Sequence, residues 1–163
     1  MLRNFGVSPG IGPCSPRDAD ALLETALALQ SGALPSRHRP LQGKNIGLLC
    51  DSRDEAMAAF DLAAHGLGAH VARIGLRLRD LHDPHDLKRI VAVLGKLYDV
   101  LLCQDEPPRL LCELCADSGV PVYGDVAATR ERLAELARRL EGDAPAADKQ
   151  RAVLQAALIH TFG

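Results

Sequence analysis

Four short apolar runs, residues 46–50, 70–75, 100–103 and 120–123, alternate with stretches of helical periodicity. That alternation constrains the fold more than any other feature of the chain. Strands joined through helices run parallel, and strands apolar on both sides need cover on both faces. Residues 55–65 read as a helix closed by Gly66 and Gly68, residues 86–96 as a second, and residues 109–116, behind Pro107 and Pro108, as a third. The expected class is α/β: a doubly wound four-stranded parallel sheet with helices on both faces.

The flanks read differently. Residues 1–17 are rich in Gly, Pro and Ser and read as a loose arm. Ser15 then offers a helix cap, Pro16 suits a first turn, and Leu22, Leu23, Ala26 and Leu27 give an apolar face that ends at Gly32. A basic loop, residues 35–40, carries His38 between Arg37 and Arg39. Residues 129–140 form a strongly helical run, broken at 142–145, and residues 147–161 read as a last amphipathic helix packing back on the domain. One domain over 1–163 is expected, with an arm (1–17), a core (18–126) and C-terminal helices (127–163).

Composition narrows the function. A net charge of -2, with no Trp and only three Phe, provides neither a basic field nor stacking platforms for nucleic acid. No apolar run reaches the roughly 18 residues needed to span a bilayer. The N-terminus, Met1-Leu2-Arg3-Asn4-Phe5-Gly6, lacks the apolar centre of a signal peptide. A cytoplasmic protein is expected, with its five cysteines as thiols. The chain has no P-loop and no G-x-G-x-x-G.

The candidate site is the junction after the first strand, Asp51-Ser52-Arg53-Asp54-Glu55. In open α/β sheets, ligands bind beyond the carboxyl ends of the strands, often with an anion on the next helix N-terminus. Here that turn holds three carboxylates. Ser52 and Glu55 have the S-x-x-E spacing of a capping box, and Asp54 complements the helix dipole, so the turn reads as self-sufficient. The alternative is that Asp51, Asp54 and Glu55 face a cation or an amine-bearing ligand. His82 and His85, flanked by Asp80, Asp83 and Asp86, have donors suited to zinc or nickel. The same stretch also reads as a solvated helix start behind Pro84. Cys112 and Cys115 spell C-x-x-C inside a helix, where they pack as small apolar residues. Cys50 and Cys103 both end strands and are expected near one another, as core residues. His65 reads as a cation at a helix C-terminus.

With these elements placed, the sequence resembles the carbamoyl-phosphate-binding domain of the aspartate and ornithine carbamoyltransferases. Leu41-Gln42-Gly43-Lys44 is similar to that family's L-x-G-K, and Ala59-Phe60-Asp61 with Leu67-Gly68 to its S-F-E…L-G-G. Val93-Leu94-Gly95-Lys96-Leu97-Tyr98-Asp99 is similar to V-L-G-R-M-Y-D, and Gly119-Val120-Pro121-Val122-Tyr123 to G-V-P-V-Y-N. The end, from Ala147-Asp148 to Thr161-Phe162-Gly163, resembles the family's closing helix, which returns to the first domain. Between the fourth strand and that helix, no residues are left for a second-substrate domain.

The substrate motifs depart from the family's. Aligned through Phe60, S-T-R-T-R falls on Arg53-Asp54-Glu55-Ala56-Met57, which leaves Arg53 the only guanidinium near that turn. The family's Asp-Thr before V-L-G falls on Arg89-Ile90, and the arginine after its third strand falls on Gln104. Its H-P-x-Q falls on Asp125-Val126-Ala127-Ala128. A carboxylate cannot replace a bidentate guanidinium on phosphate, and losing one preorganised donor costs about 3–4 kcal/mol of transition-state stabilisation. The resemblance therefore implies a domain without carbamoyl transfer of its own, acting as a small-ligand-binding, oligomeric or regulatory protein. The alternative is a carbamoyltransferase-type enzyme for another substrate, or one active only with a partner subunit. The implied partners are further copies of the chain, as a trimer, or a carbamoyltransferase subunit. No cofactor is implied.

Overall fold

The computed structural model describes residues 11–12, 15–33, 39–50, 53–104 and 106–163. Ser15 caps the first helix, α1 (Pro16–Gln30), accepting from Asp18 N–H at 3.2 Å, and Gly32 follows its end at φ +67°. Then come β1 (Asn45–Leu49), α2 (Glu55–Gly66), β2 (His70–Ile74), a 3-10 turn (Leu78–Asp80) and α3 (Pro84–Leu97). They are followed by β3 (Val100–Cys103), α4 (Pro108–Ser118), β4 (Val122–Tyr123), α5 (Val126–Ala137) and α6 (Ala146–Phe162).

All strand pairs are parallel, in the order β2-β1-β3-β4. The register sets Leu48 beside Leu102 and Leu49 beside Cys103, so alternate residues feed two cores. Ile46, Leu48, Val100 and Leu102 face α1, α2, α5 and α6. Leu49, Leu101, Cys103 and Val122 face α3 and α4. This is the doubly wound arrangement expected from four apolar runs. The central strands β1 and β3 are buried throughout, apart from Asn45 at the entry to β1, while β2 is an exposed edge.

The motifs that carry the family resemblance turn out to be architectural. Leu41 is wholly buried, its N–H donates to Leu67 carbonyl at 3.1 Å, and Lys44 carbonyl accepts from His70 N–H at 2.8 Å. Gly95 lies where α3 crosses the end of α4; a Cβ there would stand 2.1 Å from Ser118 carbonyl oxygen. Asp99 accepts from Asn45 N–H at 2.8 Å and so locks the entries of β1 and β3 together. Gly119 closes α4 in the left-handed region, φ +70°. Tyr123 meets Phe162 of α6 edge to face, with ring centroids 5.4 Å apart.

Two elements differ from expectation. The fifth helix begins at Val126 rather than at 129, for a reason that lies in the site described below. The last helix is not simply amphipathic: Ala152, Val153, Leu154, Ala156, Ala157 and Leu158 are all buried, because α1, α2 and α5 enclose it. Its small residues allow that close approach, and Thr25 Oγ1 of α1 reaches His160 Nε2 at 2.8 Å. Ile11, from the stretch expected as a loose arm, is buried on this same core.

Candidate functional site

The strand order makes the gap between β1 and β3 the topological switch point, the place where open α/β sheets receive ligands. The segments leaving these two strands, with the starts of α2 and α5, define a crevice at the sheet's carboxyl edge. Three side chains there act as hydrogen-bond acceptors toward the protein's own backbone.

Asp54 is the first. It caps α2 from an extended conformation (φ -72°, ψ 111°), its Oδ1 accepting from Met57 N–H at 3.1 Å. The capping box expected of Ser52 and Glu55 rests on Ser52, which lies outside the described residues. Helix α2 starts at Glu55, which makes Glu55 its first residue and not the third-position partner the motif requires. A carboxylate at the cap adds a favourable dipole interaction that a serine lacks. Asp51 and Ser52 lie outside the described residues. Arg53 and Glu55 are exposed.

Gln104 is the second. Its N–H donates to Leu49 carbonyl at 3.3 Å, and its Oε1 accepts from Ala127 N–H at 3.0 Å in the first turn of α5. The N-cap residue of α5, Asp125, sits in the left-handed region (φ 53°, ψ 49°) and makes no capping bond of its own. The cap is thus tertiary, supplied from β3, and it lets α5 begin three residues earlier than its own sequence signals. The third acceptor is Glu106, whose Oε1 takes Leu78 N–H at 2.7 Å and pins the 3-10 turn to the crevice. Leu78 is buried between Arg77 and Arg79, and the sequence alone singles out neither it nor Glu106. An apolar residue between two arginines was the available signal.

The remaining candidates lie apart. Arg89 is exposed on α3, which covers the opposite sheet face from α2 and α5. His82 and His85 are exposed at the start of α3, where Asp83 is the cap and accepts from His85 N–H at 2.8 Å. Among the described residues no three His, Cys, Asp or Glu side chains converge as metal ligands. His65 lies in the last turn of α2, as expected, and His38 is outside the described residues.

Cys50 and Cys103 end adjacent strands but serve opposite faces of the sheet, Cys50 in one core and Cys103 in the other. Burial first, then the nearness of Glu106 and Cys50, pushes the Cys103 thiol up to about 12. It stays protonated and is a poor nucleophile. Burial also raises Cys115. Cys112, expected to pack inside, is exposed, so the C-x-x-C pair straddles the surface of α4.

No protein-family model matches the chain. It is 37% identical over 87 residues to a catabolic ornithine carbamoyltransferase of Streptococcus gordonii, covering 53% of this chain and 26% of that protein. An ornithine carbamoyltransferase of Cutibacterium acnes is 33% identical over 84 residues, covering 51% and 25%. The matched stretch is thus about a quarter of each relative's length. Among solved structures, aspartate transcarbamoylase from Trypanosoma cruzi with phosphate aligns with a TM-score of 0.62 at 20% identity, over 80% of this chain and 44% of that one. Ornithine carbamoyltransferase from Gloeobacter violaceus aligns with a TM-score of 0.50 at 25% identity, over 76% and 39%. Among the described residues no helix is long and apolar enough to cross a membrane. By sequence over half its length this chain is similar to about a quarter of the ornithine carbamoyltransferases, and by fold over most of its length it is similar to part of the aspartate and ornithine carbamoyltransferases.

Proposed function

We propose that this protein is a carbamoyltransferase-like domain that does not itself transfer carbamoyl groups and works by binding, as a small-ligand-binding or assembly protein of the cytoplasm. The observation that carries the reading is the state of the crevice. The first turns of α2 and α5, where backbone N–H groups would meet an anion, already hold Asp54 and the Gln104 amide. The family's arginine after the third strand would stand at Gln104. In its place is a side chain that spends its acceptor on Ala127 N–H, inside the stretch that would be H-P-x-Q. A bound phosphate would have to displace both acceptors and sit beside Asp54 with Arg53 as the only guanidinium of that turn. The test is direct. Carbamoyl phosphate with ornithine, and separately with aspartate, is expected to yield no carbamoylated amino acid above the rate without protein. Turnover abolished by Arg53→Ala would overturn the reading.

Assembly has its own support. Val93 and Leu97, one turn apart on α3, are 53% and 57% exposed and form a paired apolar face. Light scattering is expected to give a homo-oligomer, with the trimer as the family-like form, that dissociates in Leu97→Glu. A monomer at all concentrations would exclude self-assembly and leave a partner subunit as the remaining assembly role.

A further inference from the structure

Away from the crevice, helices α2, α5 and α6 enclose a hollow of about 220 Å³. Its apolar lining is Ala59, Leu62, Leu133, Ala134 and Leu154, of which Leu133 and Leu154 are buried and Leu62 is 64% exposed at the mouth. Its polar lining includes two guanidiniums and one carboxylate. Arg151 donates to Asp148 at 2.7 Å, so those two charges satisfy each other. Arg130 has no ion pair among the described residues, which leaves the mouth with one uncompensated positive charge.

We infer that this hollow is a binding site for a small monocarboxylate with an apolar body the size of one aromatic ring or a short branched chain. Volume decides the body. A dry apolar cavity of about 150 Å³ holds one benzene, so this hollow admits a ring and a short acid arm but no second ring. Charge decides the head: one free guanidinium suits a monoanion, in the planar fork geometry that arginine offers carboxylates. An apolar pocket with few converging polar groups is the usual form of a small-molecule site. The site is distinct from the switch-point crevice, and the inference stands whether or not carbamoyl phosphate binds there. It does touch the same helices. Ala59 lies five residues beyond Asp54, and Arg130 four beyond Val126. At about 1.5 Å rise per residue, a ligand here sits one to two turns below the capped starts of α2 and α5.

The experiment is a titration of the full chain with phenylacetate, benzyl alcohol and acetate, followed by amide NMR shifts. Phenylacetate is expected to saturate with a dissociation constant of about 1 mM, moving resonances of residues 59–62, 130–134 and 147–154 together. Benzyl alcohol, which lacks the charge, and acetate, which lacks the ring, are expected to bind several-fold more weakly. Arg130→Gln should cost phenylacetate about three- to tenfold and leave benzyl alcohol unchanged. Ala134→Trp should fill the hollow and abolish both. Leu62→Gln, at an exposed position, gives the same weakening without burdening the core. No saturable shift with phenylacetate, equal affinity for benzyl alcohol, or indifference to Arg130→Gln would each overturn the assignment.

Discussion

Asp54, Gln104 and Glu106 occupy the sheet's carboxyl edge as acceptors, and each has a backbone N–H to itself. Removing one exposes how much the fold relies on it. Asp54→Ala is expected to destabilise the protein by about 1 kcal/mol, read by urea denaturation, whereas Asp54→Asn should cost a few tenths because the cap bond survives. Cys103 supplies a pH dependence. Its folded pKa of about 12 lies above the ordinary 9.0, so the fold favours the protonated thiol. That contribution is complete below pH 9 and is lost as pH rises toward 12. Stability should therefore fall with pH across that window, and Cys103→Val should flatten the fall. It should not abolish it, since burial raises the Tyr123 phenol as well. An unchanged slope in the variant would refute this. Legibility at this scale was partial. The acidic turn was plain in the sequence, and the helix start it carries is capped by Asp54, while Ser52 lies outside the described residues. The Gln104–Ala127 bond joins residues 23 apart, and no local pattern announces such a pair.

Among elements, the strands were the most legible, since the central ones, β1 and β3, are short runs apolar on both faces, and the helix ends the least. Helix α5 starts early through a cap lent by β3, and α6 is buried on several sides because three helices surround it. Periodicity records one buried face well and an enclosed helix poorly. The α3–α4 crossing rests on Gly95, where a methyl group would collide with Ser118 backbone. Gly95→Ala should cost about 1–3 kcal/mol through forced separation of the two helices, despite alanine's better helix propensity. A neutral or stabilising result in thermal melting would show that α4 can give way. Phe162→Ala should be worse, about 3 kcal/mol, because it removes the ring that ties the end of α6 to Tyr123 beside β4.

For the whole molecule, the residues that carry the sequence resemblance to carbamoyltransferases and those that depart from it fall in different places. Leu41, Gly95, Asp99, Gly119 and Tyr123 hold strands and helices together, away from the switch point. The positions onto which the sequence resemblance would carry the family's substrate motifs hold Asp54, Arg89, Gln104 and Asp125; of these, Asp54 and Gln104 accept from backbone N–H groups in the first turns of α2 and α5. The architecture was therefore readable from motif order, while the state of the crevice needed three-dimensional hydrogen bonding to be seen. The central claim is that this crevice has no place for carbamoyl phosphate. Thermal unfolding against increasing carbamoyl phosphate tests it most directly, with inorganic phosphate and chloride at matched ionic strength as controls. A ligand at 100 times its dissociation constant adds about 2.7 kcal/mol of stability, an unmistakable shift for a chain of this size. The account predicts no shift beyond that of the salt controls up to about 10 mM carbamoyl phosphate. A saturable rise specific to carbamoyl phosphate, reduced by Arg53→Ala, would contradict it.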